Sequence, residues 1–464
     1  MADDILTPEA SDEREAGQYT LDGPFTRNVL EAVEVEDAER LAELLEPLHP
    51  ADMADLLEQI EGWQRADLLR VYGGRLDGAV LSELDESLRE EVIHLLPPDV
   101  LSEAVRELDS DDVVDLVEDL EGEQKDMILE ALSASSRAAV EQALTYPEFS
   151  AGRLMQREIV RAPEHWRVGE AIDFLRANPD NLPDQFYHVV LVDPRMRAVG
   201  QVAIGKILAS RRGTLLRDIV EEDFRTVPVD QDEGEVAYAF NQYHLISAPV
   251  VDEEKRVVGV ITIDDAMVVM DEEHEEDILR LAGVGETRIS DRVVDTTRRR
   301  LPWLAVNLAT AILASLVIAQ FEEVIAQVVA LAVLMPIVAS MGGNAGTQAL
   351  TVAVRALATK DLTGSNVLRI VRREAAVGLI NGVIFAILMG AVGILWFGDI
   401  GIAYVISAAM VINMLMAGLA GILIPLLLDK AGVDPALASG TFVTTVTDVV
   451  GFFAFLGLAA LWLL

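Results

Sequence analysis

The sequence predicts a multidomain chain: an all-α superhelical N-terminal domain, an α/β domain of two repeated units, and a five-helix α transmembrane domain. Three observations predict it. The charge is lopsided: of a net −41, only −2 falls after Leu301, where six basic residues stand against eight acids, so −39 lies in the first 300 residues. The hydrophobic pattern changes twice, from helical spacing to short strand–helix alternation near Ser150, then to long apolar runs after Leu301. Two parts of the soluble region repeat internally at spacings near 60 residues.

Residues 1–28 are polar, with no apolar run behind Met1. That composition reads as a disordered tail rather than a secretory signal, which places the N-terminus in the cytoplasm. Residues 29–149 follow as an acidic domain of helical repeats. Asp52–Gln64 (DMADLLEQIEGWQ) and Asp112–Gln124 (DVVDLVEDLEGEQ) are identical at seven of thirteen positions with an offset of 60. Turns are expected at His49-Pro50, Gly73-Gly74 and Pro97-Pro98, with a helix–turn–helix over Leu81–Leu108. Stacked helical hairpins forming a short superhelix account for this pattern. Its acids are by default a solvated face; they become an ion site only where a second acidic surface lies opposite. So acidic a chain excludes nucleic acid as a partner. The absence of cysteine excludes disulfides and thiolate metal sites.

Residues 150–280 alternate strand and helix. A helix at Val168–Arg176 precedes strands at His188–Asp193 (HVVLVD) and Val199–Ile204 (VGQVAI). The scheme recurs with a helix at Glu235–His244, strands at Ala248–Asp252 (APVVD) and Val257–Ile263 (VVGVITI), and a helix from Asp264. Two such copies imply a pseudo-twofold pair. The arrangement resembles a tandem CBS domain, a regulatory module that often binds adenine nucleotides. The second copy carries the clearer sign, GVITIDD at Gly259–Asp265, whose Thr262-x-x-Asp265 spacing resembles the ribose-and-phosphate signature of that family. The first copy, GQVAIGK, lacks it. The plainer alternative is a strand-to-helix turn capped by Asp264.

Asp271–Asp277 (DEEHEED) places six acids in seven positions, where like charges at helical spacing repel unless cations gather. His274-Glu275 begins like a zinc-protease helix, but position 278 is isoleucine where a histidine is required, and that reading is rejected. Residues 281–300 then form a charged connecting segment (DRVVDTTRRR at Asp291–Arg300) that runs up to the membrane domain, residues 301–464.

Five apolar spans are expected, at about Trp303–Gln320, Val328–Ala353, Ala375–Trp396, Ala403–Leu428 and Ala436–Leu464. Arg298–Arg300, Arg355, Lys360, Arg369, Arg372, Arg373 and Lys430 all fall on the N-terminal side of this topology. The opposite loops, around Glu322-Glu323 and Gly398-Asp399, hold no Lys or Arg. The positive-inside rule therefore puts the N-terminus inside and the C-terminus outside. Asp448 is the one carboxylate well inside a span, and no Lys, Arg or His in a span interior can neutralise it, which leaves a cation-holding carboxylate or a protonated, hydrogen-bonded one. Pro336–Gln348 (PIVASMGGNAGTQ) carries Asn344 and Gln348 at membrane depth beside Gly342, Gly343 and Gly346. Two readings fit: a polar path, or a small-residue packing face between helices. Asn413 and Pro425 mark either a broken fourth span or ordinary packing. A carboxylate with amides, carbonyls and water suits a hard cation such as Mg²⁺, which keeps most of its hydration shell. Softer metals would want Cys, His or Met, and the spans hold no His.

The pattern Pro336-x6-Gly343-Asn344-x-Gly346-x-Gln348 resembles the second-span hallmark of the MgtE family of magnesium channels, and the resemblance extends over nearly the whole chain. Asp434-Pro435-Ala436 and Thr447-Asp448-Val449 resemble its other signatures. The resemblance implies an inner-membrane, multi-pass homodimer in contact with lipid that conducts Mg²⁺ inward and is not an enzyme. It implies that Asp448 holds hydrated Mg²⁺ at the dimer interface, with Asn344 and Gly343 lining the pore. It further implies closure by cytoplasmic Mg²⁺ at Asp111 and Asp115 of the N-terminal domain, Asp232 of the second CBS copy, and Asp265, Glu273, Glu276 and Asp277 beyond it. The connecting helix, about residues 288–300, would block the exit. ATP at Thr262 and Asp265 is a further implied ligand. The chain departs from the family pattern at His244, Val268 and Gly440-Thr441. Two other classes fit less of the sequence: a CBS-regulated secondary cation transporter, and a membrane-anchored adenine-nucleotide sensor.

Overall fold

The computed structural model describes residues 21, 23–118, 120, 122–179, 182, 183, 185–284, 293–362, 364, 366–437 and 440–464. The chain divides into two compact units, Met1–Met270 and Asp271–Leu464.

In the first unit, ten α-helices are described from α1 (Gly23–Glu34) to α10 (Ala134–Ala143). Helix α1 starts inside the tail expected to be disordered. Val29, Ala32 and Val33 face the core, and Leu21 and Phe25 pack against it, so an apolar stripe holds this segment. The expected turns hold. His49 caps α3 (Pro50–Gln59) by accepting from Ala51 N, and Pro98 starts α7 (Pro98–Glu107) at the position where its missing N–H costs nothing. The two copies of the 60-residue repeat become α3 and α8 (Ser110–Glu118). Each turns its aliphatic residues inward, Leu56 and Leu57 in one, Leu116 and Val117 in the other.

The α/β part follows α11 (Ala151–Leu154) and is a pair of three-stranded sheets, β1-β2-β3 and β4-β5-β6. The long strands are β2 (His188–Val192), β3 (Ala198–Ala203), β5 (Ser247–Val251) and β6 (Val257–Thr262), close to expectation. Sequence reading missed the short parallel edge strands β1 (Arg161–Pro163) and β4 (Val227–Pro228). They span three and two residues and contain proline, which suits an edge but leaves no periodicity to read. The pseudo-twofold is visible at atomic level. His188 pairs with Ala203 as Ser247 pairs with Thr262. His188 Nδ1 and Ser247 Oγ, at equivalent positions, lie 2.7 Å apart. Each hairpin turn carries the same ion pair, Asp193–Arg197 and Asp252–Arg256, both at 2.7 Å. Helices α12 (Val168–Ala177), α13 (Ile204–Ala209) and α14 (Glu233–Tyr243) complete the pair, and α15 (Ile263–Leu281) leaves it. Helix α15 runs unbroken through the six acids of Asp271–Asp277.

The helical and α/β parts are joined within this unit by named contacts. The buried Ser110 hydroxyl donates to Glu158 Oε2 at 2.7 Å and accepts from Arg157 N at 2.8 Å. Arg153 ion-pairs with Glu118, and Arg157 Nη1 donates to Gln142 Oε1 at 3.3 Å.

In the second unit, five helices are long and apolar enough to cross a membrane: α16 (Val293–Ala319), α18 (Ala330–Ala358), α19 (Val367–Phe397), α20 (Ile400–Lys430) and α21 (Gly440–Trp462), with a short α17 (Glu322–Gln327) after the first. The spanning part of α16 begins at Thr296. The connecting segment expected at about residues 288–300 is described only from Val293, where it is the first part of α16; residues 288–292 lie outside the described residues. Gly398, in the left-handed conformation at φ 63°, ends α19, and Asp399 caps α20 by accepting from Gly401 N at 2.7 Å. Hydrocarbon gives apolar side chains no reason to associate, so close approach does the work. Gly378, Gly382, Gly390 and Gly393 make one face of α19, and a methyl at any of them would run into α20.

Candidate ion path and acidic cluster

Helix α18 divides its unusual residues between two faces. Its glycines point inward to packing. A Cβ on Gly342 would lie 2.2 Å from Asn413 Nδ2, one on Gly343 3.2 Å from Thr444 Cγ2, and one on Gly346 2.5 Å from Val443 Cγ1. Asn344, Thr347, Gln348 and Thr351 are all exposed on the chain surface, at the i, i+3, i+4, i+7 spacing of one helix face. The packing reading therefore holds for the glycines, Gly343 among them, and the polar-path reading fits the amides.

Helix α21 sets a second polar stripe beside this one. Thr441, Thr444, Thr445 and Asp448 recur at helical spacing and are all half-buried. Gly440 lies beside Thr347 and Gly343 beside Thr444, so the two helices run antiparallel with their polar edges adjacent. That register puts Asn344 at the level of Thr444 and Asp448 about one helical turn further along, ~6 Å. The threonines spend their hydroxyl protons on their own helix: Thr444 and Thr445 both donate to the Thr441 carbonyl, at 3.1 and 2.6 Å. Among the described residues no hydrogen bond or ion pair satisfies the Asp448 carboxylate. Thr447, next to it, is fully buried and points to the core.

Asn413 belongs to the packing. Helix α20 is continuous through both Asn413 and Pro425, so the fourth span is unbroken. The amide is fully buried between Gly342 of α18 and Gly451 of α21, and donates to the Val338 carbonyl at 2.8 Å.

The acidic cluster lies in the first unit, at the start of α8 and α15. Burial, then the like charge of Asp265, holds Asp111 well above the usual carboxylate range. Asp112 is pushed up to about 7 by burial and then by Asp265. Asp265 is pushed up to about 6, chiefly by burial. Facing acidic surfaces, the condition set by the sequence, are thus met by Asp111 and Asp265. Asp112 joins them and was not singled out. Its position in the repeat motif disguised it as a solvated acid. Asp115 is exposed and bound to Arg89 at 2.6 Å. Asp232 caps α14 by accepting from Glu235 N at 3.2 Å. Glu273, Glu276 and Asp277 lie on the part of α15 that belongs to the second unit. Glu273 is exposed, Glu276 pairs with Arg280, and Asp277 is raised by burial and then by Asp434. Among the described residues no three Asp, Glu or His side chains converge as a ready cation cage.

The Thr262 turn is capped by Asp265 and not by Asp264. Asp265 Oδ2 accepts from the Thr262 hydroxyl at 2.7 Å and from Thr262 N at 3.3 Å, so one carboxylate oxygen holds both donors of the strand-to-helix turn. Thr262 lines a small cleft with Tyr187, His188 and Ser247.

The raised carboxylates make a pH prediction. A folded-state value above the ordinary 3.8 means that the folded chain holds protons which the unfolded chain has released between about pH 4 and 7. With divalent ions chelated, the unfolding temperature of the first unit should therefore be highest near pH 5 and fall as pH rises to 8. Saturating Mg²⁺ should flatten that slope. A rise with pH in chelator would show that the cluster is neutralised by bases.

Three family models match the chain: a divalent cation transporter over residues 335–458, the MgtE intracellular N domain over 48–149, and a CBS domain over 216–272. The magnesium transporter MgtE of Thermus thermophilus is 35% identical over 336 residues, 71% of this chain and 73% of that protein. That of Enterococcus faecalis is 32% identical over 324 residues, 70% of this chain and 71% of the other. That of Bacillus subtilis is 30% identical over 327 residues, 70% and 72% respectively. Among solved structures, the cytosolic domain of the Mg²⁺ channel MgtE in complex with ATP is similar over 53% of this chain and 100% of that chain, at 30% identity and a TM-score of 0.49.

Proposed function

The chain belongs to the MgtE family of magnesium transporters, and on that premise we propose that it is a homodimeric inner-membrane channel for inward Mg²⁺ flux, closed by Mg²⁺ from the cytoplasm. It is a multi-pass membrane protein, and its relatives are transport proteins rather than enzymes. One observation carries the channel reading. Exposed Asn344 lies about one helical turn from a half-buried Asp448 that has no partner among the described residues, with Gln348 on the same face of α18 further along, at a depth where lipid can satisfy none of them. A second copy facing this surface would enclose a water-filled polar path. Within it, Asp448 and its counterpart would attract a divalent ion that keeps its hydration shell, and Asn344 would hydrogen-bond to that shell. The orientation follows the basic residues, which gather at one end of the spans: Arg298–Arg300, Arg355, Arg369 and Lys430.

The regulatory side rests on the acidic cluster. Asp111, Asp112 and Asp265 are crowded and half-buried, and a hydrated Mg²⁺ would relieve their repulsion. Without the ion, −39 of charge in the first 300 residues works against a compact arrangement. Binding of Mg²⁺ would then draw the acidic faces together, and the segment leading into α16 would close the exit. Asp115 and Asp232 contribute less in this scheme, since one is bound to Arg89 and the other to a helix N-terminus. ATP at Thr262 and Asp265 is carried from the resemblance, and no step of the gating scheme is routed through it.

The test is Mg²⁺ influx into liposomes holding the full chain, with Mg²⁺ varied on the side of the soluble domains. Influx should fall as that Mg²⁺ rises. In Asp111→Asn/Asp265→Asn the fall should need several-fold more Mg²⁺, with influx at low Mg²⁺ retained. Influx indifferent to Mg²⁺ on that side would remove the gating assignment.

A further inference from the structure

The last turns of α15 belong to the membrane unit, and one arginine fixes them there. Arg280 spans two acids, Glu276 one turn back on its own helix and Asp434 in the link between α20 and α21. All three side chains are half-buried. Asp434 also directs the chain into α21: its Oδ1 accepts from Ala436 N at 2.8 Å, capping the turn at Pro435–Leu437. Beside this bridge, Leu281 packs against an apolar cluster of Leu350 and Val354 of α18, Ala420 of α20, Ala436 of the link and Val443 of α21. A polar and an apolar contact therefore tie the end of α15 to the helix that carries Asp448.

Glu276, Asp277 and Asp434 would repel one another here if nothing positive stood between them. We propose that Arg280 is a tethered cation which does permanently at this joint what a free Mg²⁺ does reversibly between other facing carboxylates. It locks α15 to the α20–α21 link whether or not Mg²⁺ is present. Glu276, a ligand position by family resemblance, is then a partner of the arginine. The role of this lock in gating rests on the function proposed above; the lock itself does not.

The chain has no cysteine, so a reporter pair can be placed without background. Ala282→Cys/Val433→Cys flanks the bridge, and a short bismaleimide linking the pair is read as a linked peptide from the monomer band. In chelator, the full chain with Arg280 should cross-link, and Arg280→Gln should cross-link about fivefold less, the worth of a half-buried ion pair. Added Mg²⁺ should restore the Arg280→Gln yield. Arg280→Lys should behave like the parent. Glu276→Gln/Arg280→Gln, which removes the leftover repulsion, should recover most of the yield without Mg²⁺. Equal yields in chelator for the parent background and for Arg280→Gln, or a double variant worse than Arg280→Gln alone, would overturn the inference. In the influx assay Arg280→Gln should raise the Mg²⁺ needed for half-closure about fivefold and leave low-Mg²⁺ influx intact. If the parent itself shows no closure, the gating assignment fails while cross-linking still decides the lock.

Discussion

Replacing Asp448 with alanine should reduce Mg²⁺ influx at least ~100-fold, since no second ionised group in the spans can hold a divalent ion at that depth. The chain offers Asp448 no hydrogen bond or ion pair among the described residues, so folding does not depend on its charge. The variant should insert and elute as the parent does. That combination separates a functional carboxylate from a structural one. Asp448→Asn is the sharper companion: it keeps the shape and removes the charge, and it should lose nearly as much influx. Influx within twofold of the parent in Asp448→Asn would mean that the path is built on amides and carbonyls alone.

The second large effect concerns packing. A methyl at Gly421 would lie 2.6 Å from the Gly346 carbonyl oxygen, 2.6 Å from Ala349 Cβ and 2.9 Å from Leu350 N. These are mostly backbone atoms of α18, which no rotamer change can move aside. Gly421→Ala should therefore push α20 away from α18 at a cost of about 1–3 kcal/mol. Because α18 carries Asn344, the shift should lower influx as well as the unfolding temperature. Gly205→Ala, whose new methyl would meet nothing within 4 Å, is the matched control and should change neither.

How much of this was legible in the sequence differs by region. The five spans, the strands β2, β3, β5 and β6, and the helical repeat all write themselves in hydrophobic period, because lipid, sheet and helix each impose one. The faces of α18 were not legible. Gly342, Gly343, Asn344 and Gly346 lie within one stretch, and only the packed structure separates glycines that touch α20 and α21 from amides that do not. Asn413 was equally ambiguous, since an asparagine in a span reads the same whether it meets a carbonyl or water. The acidic cluster was legible as charge but not as position. Asp111 and Asp265 are more than 150 residues apart in the chain, and only tertiary packing makes them neighbours. Resemblance supplied those two positions. Asp112 and the Arg280 bridge came from the structure alone.

Passive conduction is what separates a channel from a coupled transporter. The measurement is Mg²⁺ current through the full chain in a planar bilayer, with Mg²⁺ low on the side of the soluble domains and no Na⁺ or H⁺ gradient. A current that reverses at the Mg²⁺ equilibrium potential and disappears in Asp448→Ala is the predicted result. Mg²⁺ movement only when a Na⁺ or H⁺ gradient is imposed would contradict it and make the chain a coupled transporter.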